Sequence, residues 1–280
     1  MVDKDNSAMD KPYIRPARFW EPLKDKPGYV VCNLCHRRCI IAPGRWGACG
    51  VRRNIDGKLY TYVYGLLTAV NLDPIEKKPL MHFEPGSSVL SISTAGCNFF
   101  CRFCQNWSIS QSRLEKGLYG EYISPKDLVD YALRMGADGL SYTYNEPTIF
   151  YEYMYDVAKL AKEKGLFNTM VTNGYMTPEA IRELGSYMDA ATVDFKGSGN
   201  REFYRRFMGV PDPAPIYDSI LAMKDEKWWI EVTNLIVPYY GDKEDDLRRL
   251  ASWVRDNLGS ETPFHLLRFH PDYLMRDVPS

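Results

Sequence analysis

No stretch of this 280-residue chain approaches the run of about 18 apolar residues that marks a membrane-spanning helix. Net charge is also nearly absent, at −1 with 35 Lys and Arg against 36 Asp and Glu. A general electrostatic footprint for nucleic acid or for an anionic membrane is therefore missing. A local basic pair such as Arg37-Arg38 or Arg52-Arg53 is the most that an RNA could use. The first dozen residues, M-V-D-K-D-N-S-A-M-D-K-P, lack the apolar core of a secretory signal. They read as a frayed or processed terminus, and a cytoplasmic location is the expectation. Gly197-Ser198-Gly199 lacks the third glycine of a dinucleotide fingerprint.

Cysteine is absent after residue 104, and the seven present fall into two groups. An odd number in a chain expected to be cytosolic argues against a disulfide framework and for metal or redox work. Cys32, Cys35, Cys39 and Cys49 form one group, spaced C-x2-C-x3-C-x9-C, with Gly44, Gly47 and Gly50 among them. Four thiolates close a tetrahedral shell, which suits a structural zinc or an auxiliary 4Fe–4S cluster equally well. Cys97, Cys101 and Cys104 form the other group, in C-N-F-F-C-R-F-C. A cubane 4Fe–4S cluster needs four ligands, and this loop offers three, which leaves one iron to bind something else. An incomplete zinc knuckle or three buried structural cysteines are the plainer alternatives.

From residue 89 onward, short apolar, β-branched or aromatic runs begin at Val89, Leu140, Phe167, Ala190, Trp228 and Phe264. Helix signals lie between them. Ser124-Pro125 with Asp127 reads as an N-cap, a first-turn proline and a capping carboxylate. Pro147 can open a helix ending by Gly165, Thr177-Pro178 repeats the cap signal, and Asp242 opens an amphipathic helix closing near Gly259. The alternation predicts an α/β fold with an all-parallel sheet. A partial (β/α)6 TIM-like barrel over 89–280 is preferred to a full eight-unit barrel, which takes about 250 residues. Residues 1–88 read as a small Cys-rich module with a hairpin, turned at Asp56-Gly57. The three-cysteine loop then falls at the carboxyl end of the first strand, where α/β folds place their chemistry.

The stretch G-C-N-F-F-C-R-F-C-Q-N-W, with its C-x3-C spacing and an aromatic before the last cysteine, resembles the signature of the radical S-adenosylmethionine (SAM) enzymes. It is most similar to the branch of the pyruvate formate-lyase activating enzymes and the AmmeMemoRadiSam system radical SAM proteins. The resemblance runs from the N-terminal cysteines to R-F-H-P near the end. It implies that Cys97, Cys101 and Cys104 hold a 4Fe–4S cluster. The open iron would take SAM through its amine and carboxylate, for reductive cleavage to a 5′-deoxyadenosyl radical that abstracts hydrogen.

Later strand ends carry the other implied contacts. Glu146, in Tyr144-Asn145-Glu146-Pro147, stands where the family has Gly-Gly-Glu and would hold the SAM amine; its plainer role is a carboxylate at a helix N-terminus. Asn173, in Thr172-Asn173-Gly174, would bond the ribose or carboxylate, or belong to an ordinary turn. Asp194 and Lys196, in Asp194-Phe195-Lys196, share one strand face by period two. They would orient SAM, or form a structural ion pair. Phe103 would lie near the adenine, and His270 could approach adenosine or substrate. An electron donor such as ferredoxin or flavodoxin is implied, and a protein or peptide glycine is the substrate suggested by analogy. Radical modification of a small molecule or RNA base, and a non-catalytic iron–sulfur or zinc module, are the competing functions.

Overall fold

The computed structural model describes residues 10–117 and 119–280. Most of the polar stretch expected to fray lies outside the described residues. Six parallel strands form the frame: β1 (Ser88–Thr94), β2 (Gly139–Tyr142), β3 (Phe167–Thr172), β4 (Ala190–Lys196), β5 (Trp229–Ile236) and β6 (Phe264–Arg268). Each falls on one of the apolar runs of the sequence. They pair in sequential order without reversal. That order belongs to a partial barrel and not to a doubly wound sheet, where strand order switches direction.

Among the described residues, the five helices of seven residues or more cover the outside: α1 (Pro125–Arg134), α2 (Tyr151–Glu163), α3 (Pro178–Leu184), α4 (Pro215–Asp225) and α5 (Glu244–Leu258). The Ser124 hydroxyl accepts the Asp127 amide at 3.2 Å, so α1 starts at the cap expected. Helix α2 follows a 3₁₀ turn at Pro147–Phe150 and buries Tyr151, Met154, Val157, Ala158 and Ala161 at helical spacing. Asp242 does not open α5. Its carboxylate accepts the Tyr239 amide at 2.9 Å and closes the preceding turn, and the helix begins at Glu244. Period two divides each strand. On β4, Phe195 packs outward against Tyr217 of α4, with ring centroids 5.3 Å apart, while Thr192, Asp194 and Lys196 face the barrel interior.

The sheet is not all-parallel. Leu66–Pro74 runs antiparallel to β1 over most of its length, and Glu121–Tyr122 pairs antiparallel beyond it. A short return can bring an antiparallel strand to the free edge of β1, whereas a parallel neighbour needs a long crossover. Residues 66–88 of the region expected as an N-terminal module therefore pack with the barrel. Ile75 and Leu80 are fully buried against Val89 and Ala190, and Phe83 meets Phe167 edge-to-face at 5.4 Å. These partners mark the amino ends of β1, β4 and β3, so residues 75–83 plug that end of the barrel. The Thr192 hydroxyl holds the plug by donating to the Lys78 carbonyl at 2.6 Å.

Two small three-stranded sheets make up the rest of the N-terminal region. Asp56 and Gly57 both have positive φ, 48° and 81°, and turn the hairpin between Arg52–Ile55 and Lys58–Thr61. Arg52 is not part of an exposed basic patch. It is 2% exposed, pairs with Glu152 of α2, and donates to the Arg18 carbonyl at 3.0 Å. No described helix is long and apolar enough to cross a membrane.

The Arg52–Glu152 pair is a buried ionic tie between this region and the barrel. Arg52→Ala leaves the Glu152 carboxylate buried without its cation, at an expected cost of about 3–5 kcal/mol. Arg52→Met with Glu152→Met should recover most of that loss, as read from thermal unfolding of the three proteins.

Candidate active site at the carboxyl ends of the strands

Strand β1 leads through Ala95 and Gly96 into the three-cysteine loop. Gly96 has φ 93°, and a Cβ there would lie 2.6 Å from the Cys49 carbonyl oxygen. Only glycine permits that approach, which brings the four-cysteine segment against the three-cysteine loop. Backbone bonds from Phe100 to Met208 (2.9 Å) and from Arg102 to Phe207 (2.8 Å) fix the loop from the opposite side. The Arg37 guanidinium clamps the Asn98 carbonyl and donates to the Gly209 carbonyl at 2.8 Å, so it too is committed to the protein. Phe103 is buried between Phe203 and Phe269, at centroid distances of 5.8 and 6.2 Å.

A cavity of about 490 Å³ opens over the strand ends. Its walls include Cys97, Cys101, Cys104, Phe103, Glu146, Asn173, Asp194 and Lys196. The fold thus brings these eight residues together from four separate segments. His270 lines the same cavity; His265 lies lower on β6, against Glu231. Burial pushes the Cys97 thiol well up and the Cys101 thiol to about 12, Lys196 partly opposing the shift at Cys101. Buried thiols of this kind ionise when a metal cation compensates their charge. Among the described residues no three thiols have sulfurs mutually within 4.8 Å. A tetrahedral zinc with Zn–S near 2.3 Å would draw them to about 3.8 Å. The three thiols are therefore not gathered into a zinc shell, and the soft donor set fits an iron–sulfur cluster.

Glu146 is 2% exposed and already heavily engaged. Its Oε1 accepts the Thr148 amide (3.1 Å) and the Thr148 and Thr172 hydroxyls (2.6 and 2.8 Å), while Oε2 accepts the Asn173 amide (2.7 Å). Burial raises its pKa, and these four donors work against the rise. It caps the Pro147–Phe150 turn and ties the ends of β2 and β3 together, leaving Oε2 the freer oxygen. Asn173 donates to Asn98 Oδ1 at 2.7 Å and accepts the Tyr175 amide at 3.1 Å. Gly174 is set by packing: a Cβ would meet Ile216 at 2.7 Å. Asp194 and Lys196 form an ion pair, and the Thr233 hydroxyl steadies Asp194 at 2.9 Å. Burial acts to lower the Lys196 pKa, but Asp194 and Cys101 outweigh it, so the ammonium stays charged inside the cavity.

The sequence carried no signal for a second polar group in the same cavity. Lys78 and Tyr144 line it, joined through Asp73 of the antiparallel strand. Asp73 accepts Lys77 Nζ at 2.8 Å, Lys78 Nζ at 2.7 Å and the Tyr144 hydroxyl at 2.5 Å. Lys78 is 1% exposed, and its ammonium sits 4.7 Å over the Tyr144 ring. Tyr144 holds φ at 66°, a conformation that a bulky residue keeps only where its surroundings enforce it. A Lys-Lys dipeptide reads as a solvated surface; only the plug turns Lys78 inward.

An open barrel of parallel strands, with a three-thiol loop at the end of its first strand over a polar cavity, defines a cofactor-dependent α/β enzyme. The Radical SAM superfamily profile matches residues 91–254, more than half of the chain, and the chain belongs to that superfamily. It is 46% identical over 266 residues to an uncharacterized protein of Methanocaldococcus jannaschii, covering 95% of this chain and 78% of that one. It is 23% identical over 205 residues to the pyruvate formate-lyase-activating enzyme of Clostridium pasteurianum, covering 65% of this chain and 80% of the enzyme. Streptococcus suis SuiB bound to S-adenosylmethionine superimposes with a TM-score of 0.53 at 13% identity, over 74% of this chain and 45% of SuiB. That last likeness establishes the shared barrel.

Asp73 offers a pH test of the interior pair. Burial acts to raise its pKa, but bonds from Lys77, Lys78 and Tyr144 win, and the net shift is downward. Its stabilising contribution is therefore present above the unfolded carboxylate value of about 3.9 and is lost as pH falls through the depressed folded value. Lys78→Met should cost roughly 2–4 kcal/mol at pH near 7. Thermal melts near pH 3 should show a smaller gap between variant and parent, because Asp73 is by then mostly protonated in the unfolded chain and part of the contribution is gone.

Proposed function

We propose that this enzyme is of the activating type: it cleaves SAM reductively and takes a hydrogen atom from a protein or peptide glycine. The observation that carries the reading is the sharing of one cavity by the three-thiol loop and the polar groups Glu146, Asn173, Asp194 and Lys196. Cys97, Cys101 and Cys104 would hold the 4Fe–4S cluster. When bound, that cluster supplies an electron for SAM cleavage to a 5′-deoxyadenosyl radical, chemistry that belongs to the cofactor.

The chain's own residues bind, orient and keep water out. Lys196, charged and only partly used by Asp194, offers ammonium donors to a carboxylate. Glu146 Oε2, with one donor from Asn173, can take an ammonium hydrogen. Asn173 stands beside it for a hydroxyl or carboxylate. Phe103, held by Phe203 and Phe269, gives the flat wall for an adenine. Phe99, Leu235, Leu267 and Phe269 complete an apolar lining, which suits a site where water must be excluded. Tyr144 and Lys78 face this group as a second polar wall for the substrate. Support for a large substrate comes from the sheet edge: among the described residues β6 pairs on one side only, and Leu267, Arg268 and His270 line the cavity there. The activating-enzyme relative points the same way. An external donor of the ferredoxin or flavodoxin kind would supply electrons. A small molecule is the second reading, since about 490 Å³ is within the usual size of a small-ligand site.

Cys32, Cys35, Cys39 and Cys49 are proposed to hold a second metal centre. Burial comes first among the causes that raise the Cys35, Cys39 and Cys49 pKa values, Cys49 to about 11. Their spacing is wider than a zinc shell, which favours an auxiliary cluster, yet the free space beside them is only about 20 Å³.

Two measurements test these assignments. After anaerobic reconstitution with iron and sulfide, reduction and addition of SAM, the protein should release 5′-deoxyadenosine. Cys101→Ala should release none above background while keeping its circular dichroism, and a fully loaded parent that leaves SAM intact would overturn the proposal. Metal analysis of Cys97→Ala/Cys101→Ala/Cys104→Ala should find metal at the N-terminal cysteines, identified as the metal that is lost when Cys32→Ala and Cys35→Ala are added. Iron with sulfide identifies a cluster, zinc a structural ion, and neither removes the second centre.

A further inference from the structure

At the opposite end of the barrel, three ligand-type side chains converge from three segments. His82 lies on the plug, Glu231 near the start of β5, and His265 near the start of β6. Glu231 is fully buried. Its Oε1 is held by the His82 amide at 2.8 Å and the Trp229 indole N–H at 3.1 Å. Its Oε2 takes the Met81 amide at 3.1 Å and faces both imidazoles, His265 Nε2 at 2.6 Å and His82 Nδ1 at 3.2 Å. Among the described residues this is the one set of three His, Cys, Asp or Glu residues whose ligand atoms lie within 4.8 Å of one another. No three of the seven cysteines reach that spacing in the described chain.

We propose that His82, Glu231 and His265 form a site for a divalent transition-metal ion, separate from the SAM cavity. Two imidazole nitrogens and one carboxylate oxygen are a borderline donor set suited to zinc and its first-row neighbours, with a fourth position left for water. Ligand bonds of about 2.0–2.2 Å around a tetrahedral ion set donor atoms roughly 3.3–3.5 Å apart. The His82–Glu231 distance is already close to this, and His265 must withdraw by under about 1 Å. The His82 side chain is 57% exposed, so it can adjust and gives the ion a path from solvent. The fixed donors on Oε1 are the outer-shell bonds that orient a metal-bound carboxylate. Without an ion, Oε2 accepts the Met81 amide and lies within hydrogen-bond distance of both imidazole nitrogens. An ion satisfies the same three side chains with both imidazoles neutral. Such a site would staple the plug to β5 and β6, and so fix the segment that turns Lys78 into the cavity.

The test uses the reconstituted enzyme, with its cysteine sites already loaded, and zinc alone as the probe. The parent should bind one more zinc per chain than His82→Ala, in which an exposed side chain is removed and folding is kept. Zinc should shift the ring nitrogen resonances of both His82 and His265 and raise the melting temperature of the parent but not of the variant. Glu231→Gln gives a second check and should lose the zinc-dependent shift at His265. Equal zinc uptake by parent and His82→Ala would overturn the proposal, as would uptake that leaves both histidine rings unshifted. The triad would then be a hydrogen-bonded clamp.

Discussion

Three thiolates cannot complete the coordination of a cubane cluster, and this shortfall organises the site. A cluster held by Cys97, Cys101 and Cys104, as proposed, would take its last ligand from outside the three-thiol loop. That ligand needs a cavity with its own fixed charges, and the strand ends supply it. Lys196 with Asp194 brings a paired cation, and Glu146 brings a carboxylate held by four donors. The loop carrying the thiols cannot wander, because the 203–209 segment grips it on one side and the N-terminal region packs on the other. Gly96 is the point of closest approach, where any side chain would strike the Cys49 carbonyl. The two cysteine groups are in this way parts of one packed unit.

The barrel interior is unusually polar for a core, and its charges are paired within it. Asp73, Lys78 and Tyr144 make one compensated group, while Glu231 with its histidines makes another at the far end. Both depend on the plug, which follows the antiparallel strand and is held by buried Ile75 and Leu80. The apolar anchors contribute the binding energy of the plug. Its polar residues place a lysine in the wall that faces the thiols. A charge buried at this depth is tolerated because its partner is buried beside it.

Much of this frame was legible in the sequence. The six parallel strands lie on its β-branched and aromatic runs, Ser124-Pro125 starts a helix as its cap chemistry dictates, and the three-cysteine loop stands at the end of β1. The strand-end elements were legible as motifs, and the fold gathers them in one cavity. The rest was hidden for physical reasons. Leu66–Pro74 alternates like a hairpin arm, and nothing local says that its partner is the first barrel strand. Lys78 is indistinguishable from an exposed lysine until the plug buries it. Glu146 read as a cofactor contact or a carboxylate at a helix N-terminus, and the cap on Thr148 matches the second reading; its bonds to Thr172 and Asn173 were hidden because they arise only when two strand ends meet. His82, Glu231 and His265 are far apart along the chain, and no spacing rule joins them.

The central claim is that one iron of the Cys97–Cys101–Cys104 cluster is free of protein thiolate and takes SAM directly. Electron–nuclear double resonance on the reduced, reconstituted enzyme addresses it without reliance on turnover. SAM is supplied with magnetic isotopes at its amine nitrogen and its carboxylate oxygens. The account predicts hyperfine coupling of both labels to the cluster electron spin. A reduced cluster that shows neither coupling in saturating SAM would contradict it.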